Sequence, residues 1–260
     1  MGKADVQPLR RLELLYDDAR IVAVNKPAGL ATIPGRAEAT CAQYIVATQL
    51  KLPMKGVADP RIRVVHRLDK DTTGVLLFAK DIDAQRHLSH QFQNNVIRKE
   101  YLALVNGRPS GDEGEIDAAI GVDRSRPDRM RVDKKGRPAR TLWKVEETFR
   151  GVTLLRCFPK TGKTHQIRVH LLSIGHPLAI DLLYGPPPEE GQEPGLMLSR
   201  FKKRYRLGRF QEERPLMSRL TLHAERIGFD HPEKGPMEII CPLPKDFCSM
   251  LNMLRKYARA

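Results

Sequence analysis

Short apolar runs that follow one another closely constrain the fold of this 260-residue chain more than any other sequence feature. Ala139 to Phe149 and Val152 to Phe158 are two such runs, joined by the turn Arg150-Gly151. Leu12 to Tyr16 and Arg20 to Asn25 repeat the pattern around a two-aspartate turn. Apolar runs joined by tight turns are typical of β-hairpins, whose strands are antiparallel. The sequence therefore predicts a largely antiparallel sheet.

Fewer segments carry helical patterns. Thr40 is predicted to cap a helix to about Lys51, and Thr164 to cap a second helix. Asp83 to Asn94 has a helical pattern, and a last helix is expected from Pro244. Because strands outnumber helices and mostly follow one another, the predicted class is α+β, with a mixed, mostly antiparallel central sheet flanked by helices. We expect residues 1–260 to form a single domain.

The charge balance indicates the kind of partner. Lys and Arg number 45 against 31 Asp and Glu, a formal net charge of +14. Such a basic surplus favours a polyanionic partner, most often RNA or DNA, although a protein that is merely basic and soluble is the alternative. No apolar run approaches the ~18 residues of a membrane span. The amino terminus lacks the apolar core of a signal peptide, so we expect a cytoplasmic protein with no membrane partner.

The four cysteines give no sign of a metal site. They form no C-x-x-C pair and no zinc-binding spacing, so free thiols in a reducing compartment are expected.

The segment Thr161 to Thr164 has the letters TGKT of a phosphate-binding loop. That loop requires another glycine five residues before Gly162, where this chain has Cys157. The nucleotide-binding interpretation is therefore rejected.

The sharpest cluster of reactive side chains is VVHRLDKDTTGVLLFAK, Val64 to Lys80. It places Asp69 in a polar turn between two apolar strands, directly after His66 and Arg67. Neighbouring cations favour the ionised form of a carboxyl group, which can then act as a nucleophile or base. A solvated turn with an internal ion pair would have the same spacing. The two carboxylates Asp69 and Asp71 also allow a glycosidase interpretation, but they are poor candidates to flank one bond.

This cluster resembles the catalytic motif of the RluA-type RNA pseudouridine synthases, which reads H-R-L-D, two residues, T-S/T-G and an apolar strand ending A-K. Further segments resemble the family's other motifs in the family's order: Val24 to Gly35, Arg98 to Gly107, Thr161 to Gly185, Leu222 to Pro232 and Cys241 to Phe247.

The chain departs from the family pattern in four places. Lys163 stands where an arginine is usual, and Ala179 to Asp181 where a Gly-Asp pair is usual. The segment after Gly185 is longer than in relatives, and the small N-terminal RNA-binding domain of many relatives is not expected here.

The resemblance implies an isomerase that converts uridine to pseudouridine in structured RNA, either rRNA or tRNA, without a cofactor. It implies a catalytic fold whose sheet is split by an RNA-binding cleft. Asp69 would be the catalytic aspartate, acting as nucleophile or base. Tyr101 would lie against the base as a candidate for removing the C5 proton, and Arg168 would pair with Asp69. Arg67 would fill the space that the extruded uridine leaves, since chemistry on a stacked base requires extrusion. An RNA-binding protein that has lost catalysis is the alternative.

Predicted RNA contacts fall in three groups. The motifs supply His66, Arg67, Lys163, His165 and Gln166. The basic segment Arg124 to Arg140 supplies Arg129 and Arg131, either as a phosphate-contacting hairpin or as a solvated charge run. The insertion at about 186–215 supplies Lys202, Lys203 and Arg204 among aromatic residues, a composition suited to single-stranded RNA, or else it is a solvated loop. A monomer is expected.

Overall fold

The computed structural model describes residues 11–35, 40–52, 61–185, 195–202, 205 and 213–259. Within these ranges the strands are β1 Glu13–Asp17, β2 Ile21–Lys26, β3 Arg63–Val64, β4 Thr73–Ala79, β5 Arg98–Asn106, β6 Glu113–Asp117, β7 Ile120–Val122, β8 Met130–Val132, β9 Arg140–Phe149, β10 Val152–Pro159, β11 Leu222–His231 and β12 Gly235–Ile240. The helices are α1 Ala42–Gln49, α2 Ile82–Gln93, α3 Gln166–Ser173 and α4 Lys245–Tyr257, with a short 3-10 helix at Leu198–Arg200.

Ten strands form one sheet in the order β1-β2-β4-β11-β5-β10-β9-β6, with β3 beside β4 and β12 beside β11. The β4–β11 pair is parallel, and the other pairs in the sheet are antiparallel. The remaining strands, β7 and β8, form a separate hairpin. This architecture confirms the predicted α+β class with a mixed, mostly antiparallel sheet. Of the described helices, none is long and apolar enough to cross a bilayer.

A glycine allows β4 to join the centre of the sheet. Gly74 lies opposite Ala224 of β11 and has a φ of +123°, a conformation that favours glycine. A Cβ atom at this position would lie 2.1 Å from the carbonyl oxygen of Ala224. The adjacent Thr73 shares a 2.9 Å hydrogen bond with His223. The turn that carries Asp69 is therefore fixed at its end to the middle of the sheet.

The sheet separates two environments, which we call the front face and the back face. Tyr101 and Ala103 of β5 point to the front, where the apolar cluster includes residues of α3. Leu102 and Leu104 point to the back, where they pack with α4. This alternation follows from the period of two residues along a strand.

Several predicted boundaries differ from the structure. The third helix begins at Gln166, not after Thr164, because His165 has a left-handed backbone (φ 55°, ψ 21°) that cannot continue a helix. Thr40 does not cap α1, whose N-cap is Cys41. Helix α2 begins at Ile82, one residue before the predicted Asp83. It is capped by Asp81, whose carboxylate accepts the amide protons of Asp83 and Ala84.

Candidate active site

A cleft of about 850 Å³ opens on the front face of the sheet. Three of the parts of the chain that line it carry predicted site residues: the turn before β4, strand β5, and the loop between β10 and α3 with the start of α3. The predicted site residues that line it are His66, Arg67, Asp69, Tyr101, Lys163, His165, Gln166 and Arg168. The fold therefore brings together motifs that lie about a hundred residues apart in the sequence.

Asp69 is held by the backbone of its own turn. Its carbonyl oxygen accepts the amide proton of Thr72 at 3.1 Å, which closes the turn. The preceding residue, Leu68, exchanges two hydrogen bonds with the buried hydroxyl of Thr32, at 3.0 and 3.2 Å. The side chain of Asp69 remains 27% exposed, so its carboxylate is accessible from the cleft.

Arg168 connects Asp69 to a second carboxylate. Its guanidinium donates to Asp181 through Nε and Nη2, both at 2.8 Å, and Nη1 lies 3.3 Å from Oδ2 of Asp69. The Asp181 side chain is only 1% exposed and also accepts the amide protons of Leu183 and Tyr184. Burial acts against the charged guanidinium, but the hydrogen bonds and charge of Asp181 outweigh it and raise the pKa of Arg168. Arg168 therefore stays a cation, oriented toward Asp69.

Asp181 was not among the predicted site residues, although the sequence marked its surroundings as a departure from the family pattern. The sequence contains a pattern that could have identified it. An acidic residue inside the apolar run PLAIDLLYG indicates a buried carboxylate, which requires a charged partner. The identity of that partner depends on tertiary contacts, because Arg168 lies on another element.

Tyr101 lines the cleft from β5 and is partly buried. Burial, together with the negative charge of Asp69, raises the pKa of Tyr101. The side chain is therefore a neutral phenol at physiological pH. Its aromatic ring suits it to contact a flat base, and a role as a base would require prior loss of its own proton.

His165 occupies a strained position at the start of α3. Its φ of 55° lies in the left-handed region that non-glycine residues rarely adopt. Its Nδ1 lies 2.7 Å from the hydroxyl of Tyr184, and its Nε2 lies 3.9 Å from Oδ2 of Asp69. Burial lowers the pKa of His165, so the neutral ring is favoured. Residues in sparsely populated conformations concentrate at functional sites.

Two predicted RNA contacts are already engaged within the protein. His66 accepts the amide proton of Leu77 at 3.0 Å and stacks on Phe92, and burial lowers its pKa to about 3. It is therefore a neutral residue and not a phosphate-binding cation. Gln166 is buried, and its amide group makes four hydrogen bonds, to Thr161, Lys163, Arg140 and Thr141. A direct RNA contact by Gln166 would have to replace one of them.

The basic segment Arg124 to Arg140 contains β8 and most of the turn that joins it to β7, and β8 packs beside α3. The hydroxyl of Tyr184 accepts the amide proton of Met130 at 2.8 Å, which ties this hairpin to the site. Arg129 lies 5.9 Å from the centre of the Tyr184 ring, and Arg168 lies 4.8 Å from it. Arg131 is exposed beside Asp133. A hairpin is present, and Arg129 lies beside Tyr184, which contacts His165 of the cleft.

The described part of the insertion lies elsewhere. Phe201 is 1% exposed within the back-face cluster, and the ammonium of Lys202 lies 5.2 Å from the ring centre of Tyr257 in α4. Lys202 therefore does not line the cleft, and the RNA contact predicted for it would lie outside the cleft. Lys203 and Arg204 lie outside the described residues.

A metal site requires several converging His, Cys, Asp or Glu side chains. Across the described ranges no group of three such residues converges in this way. The four cysteines, all within the described residues, form no disulfide. The charged groups at the centre of the cleft are instead a carboxylate and a guanidinium, an arrangement that suits chemistry by the side chains themselves.

Comparison with known proteins gives consistent results. The family model for RNA pseudouridylate synthases matches residues 20–173. Ribosomal large subunit pseudouridine synthase D of Nitrosomonas europaea is 38% identical over 94% of this chain, which spans 65% of that relative's length. An uncharacterized RNA pseudouridine synthase of Bacillus subtilis is 37% identical over 94% of this chain and 73% of its own.

A solved structure, human RNA pseudouridylate synthase domain containing 4, superposes with a TM-score of 0.67. It is 25% identical, and the alignment covers 94% of this chain and 93% of that one. Human RNA pseudouridylate synthase domain containing 1, at 21% identity and a TM-score of 0.66, supports the fold alone. The predicted fold is thereby confirmed.

Proposed function

Since this chain belongs to the RNA pseudouridylate synthase family, a family of isomerases, we propose that it converts uridine to pseudouridine in RNA with Asp69 as the catalytic group. One observation carries the proposal: Nη1 of Arg168 lies 3.3 Å from Oδ2 of Asp69 in a cleft that Tyr101 also lines. A partly exposed carboxylate held by a buried cation is suited to attack or deprotonate a sugar carbon.

The reaction rearranges bonds within one nucleotide. The bond between N1 of the uracil and C1′ of the ribose breaks, a bond between C5 and C1′ forms, the C5 proton leaves, and N1 gains a proton. Atoms and electrons balance without a co-reactant, so no cofactor is invoked. Asp69 acts at the sugar, Tyr101 contacts the base, and Arg168 holds Asp69 in position. The reacting uridine leaves its stack to enter the cleft, at a cost of a few kcal/mol that base stacking and phosphate contacts offset.

The names of several relatives suggest the substrate. The relatives from Nitrosomonas europaea and Xylella fastidiosa are named for the large ribosomal subunit. We take large-subunit rRNA as the substrate of this chain, ahead of tRNA. We propose a monomer acting as a single catalytic domain, because the residues assigned to the reaction all line one cleft. Cysteines that form no disulfide fit a cytoplasmic location.

The proposal is tested by incubating the purified protein with large-subunit rRNA transcripts and locating pseudouridine by chemical labelling. Asp69→Asn should abolish product formation and leave RNA affinity nearly unchanged, because the substitution removes the reacting charge and preserves shape. Asp71→Asn is the matched control: Asp71 is exposed two residues away and should tolerate the change.

The products distinguish the competing functions. Isomerisation leaves the mass of the RNA unchanged, whereas a hydrolase acting through Asp69 would release uracil and leave an abasic site. RNA binding without either product would favour a protein that has lost catalysis. Substantial turnover by the Asp69→Asn variant would overturn the assignment of Asp69.

A further inference from the structure

Two lysines line the same part of the cleft. Lys99 precedes Tyr101 by two residues on β5, so both side chains leave the strand on the front side. The Nζ of Lys99 donates a 3.0 Å hydrogen bond to the carbonyl oxygen of Thr161. A Cβ atom at Gly162 would lie 3.8 Å from the same nitrogen. The ammonium of Lys99 therefore lies against the loop that carries Lys163.

This pair of cations lacks a carboxylate partner among the described residues. Asp69, the carboxylate that lines the same cleft, is paired with Arg168. Burial and the positive charge of Lys163 lower the pKa of Lys99 to about 8. An ammonium group has three donors, and the bond to Thr161 uses one of them. Two like charges that are partly desolvated and share one edge of a cleft favour a bound anion.

We infer that Lys99 and Lys163 together bind one backbone phosphate of the RNA, next to the nucleotide that reacts at Asp69. The inference rests on the proposed function and goes beyond it by assigning Lys99 and by pairing it with Lys163 at one phosphate. A single phosphodiester offers two oxygens to two ammonium groups, and its charge relieves their mutual repulsion. Because Lys99 is two residues from Tyr101, this phosphate contact fixes the RNA backbone beside Tyr101, the residue proposed to contact the base.

The chemistry favours RNA over an acidic protein segment as the source of the anion. The chain carries a net charge of +14, and both lysines lie in the cleft that also holds the predicted base-contacting tyrosine. A phosphodiester chain supplies a base and a phosphate at the spacing of one nucleotide, which a peptide carboxylate does not.

The experiment measures the affinity of each variant for one fluorescent fragment of large-subunit rRNA, across a series of salt concentrations. The variants are Lys99→Gln, Lys163→Gln and the double substitution. Each neutralised phosphate contributes about 0.7 to 0.9 to the slope of log affinity against log salt concentration. If one phosphate is bound only when both lysines hold it, either single substitution already releases that phosphate. The double variant should then lose about the same slope as either single variant. Lys99→Arg keeps the charge and should keep the slope.

Lys144→Gln is the matched control, since Lys144 is exposed on β9 and lies opposite Arg156, whose partners are on the back face. It should leave the slope unchanged. Slopes that fall additively in the double variant would mean two separate phosphates and would overturn the shared site. An unchanged slope in Lys99→Gln would overturn the role of Lys99. Pseudouridine formation is scored in parallel, so an inactive wild-type protein that binds RNA would contradict the proposed function alone.

Discussion

The front and back faces of the sheet each contain an arginine held by several carboxylates, and the two networks differ in what surrounds them. Arg168, at the front, binds the buried Asp181 and the partly exposed Asp69. Arg156, at the back, binds Glu100, Glu146 and Glu225, whose side chains are 18 to 33% exposed. The front network lines the cleft through Asp69 and Arg168, whereas Arg156 and its three partners do not line it. An arginine–carboxylate network is therefore not a sign of catalysis unless it leaves a carboxylate accessible in a concave site.

The same contrast separates two basic segments. The β7–β8 hairpin is joined to the site by Tyr184, which bonds both Met130 and His165. The segment around Lys202 is anchored on the back face by the burial of Phe201. Both segments are rich in arginine and lysine, so their charge alone did not reveal which one approaches the cleft.

Among the changes that compare the two faces, the largest expected effect comes from removing the front arginine. Arg168→Ala leaves Asp181 buried without its cation, a change that typically costs about 3–5 kcal/mol, and leaves Asp69 without its orienting partner. We expect the rate of pseudouridine formation to fall by at least ~100-fold, because misplacement of a reacting group by about 1 Å can cost that much. The measurement is single-turnover kinetics on folded protein, with thermal unfolding recorded in parallel.

Arg156→Ala is the matched control on the back face. It removes a guanidinium that also binds several carboxylates, so it should lower stability and leave the single-turnover rate of the folded protein nearly unchanged. Equal losses of rate in the two variants would show that both act through stability, and the distinction between the faces would fail. Arg168→Lys should recover only part of the rate, since lysine lacks the planar fork that binds Asp181.

Much of the fold and site could be predicted because the signals are local. Asp69 and its turn were identified from neighbouring residues, and the hairpin of β9 and β10 from its apolar runs and glycine turn. Asp181 and Lys99 were missed because their significance arises from contacts across the fold. Phe201 lies in a segment that the sequence predicted to bind single-stranded RNA or to be a solvated loop, but it is a core residue. Composition cannot say which face of a sheet an aromatic side chain will cover.

A smaller effect is expected from the β7–β8 hairpin. Arg129 lies over the ring of Tyr184, Arg131 is exposed on β8, and neither lines the cleft, so they are suited to contact phosphates at a distance from the reacting uridine. Replacing both with glutamine should weaken RNA binding and reduce the salt slope by up to about 0.9 for each lost contact. The single-turnover rate at saturating RNA should be preserved. If binding and slope stay at the wild-type values, the hairpin is a solvated charge run.

The smallest expected effect is at Lys202, which the sequence placed among the RNA contacts. Its ammonium lies 5.7 Å from the ring centre of Tyr205 and 5.2 Å from that of Tyr257. Each such cation–π contact contributes about 0.5–1 kcal/mol at exposed sites, so with two contacts Lys202→Gln should lower the free energy of unfolding by no more than about 2 kcal/mol. Affinity for rRNA and its salt slope should match the wild type, because the side chain lies on the back face, away from the cleft. Fluorescence anisotropy over a salt series measures both quantities, with the Arg129 and Arg131 double variant as the positive control. A slope reduced by about 0.7 to 0.9 in Lys202→Gln would mean that bound RNA extends around to the back face, and the functional separation of the two faces would be wrong.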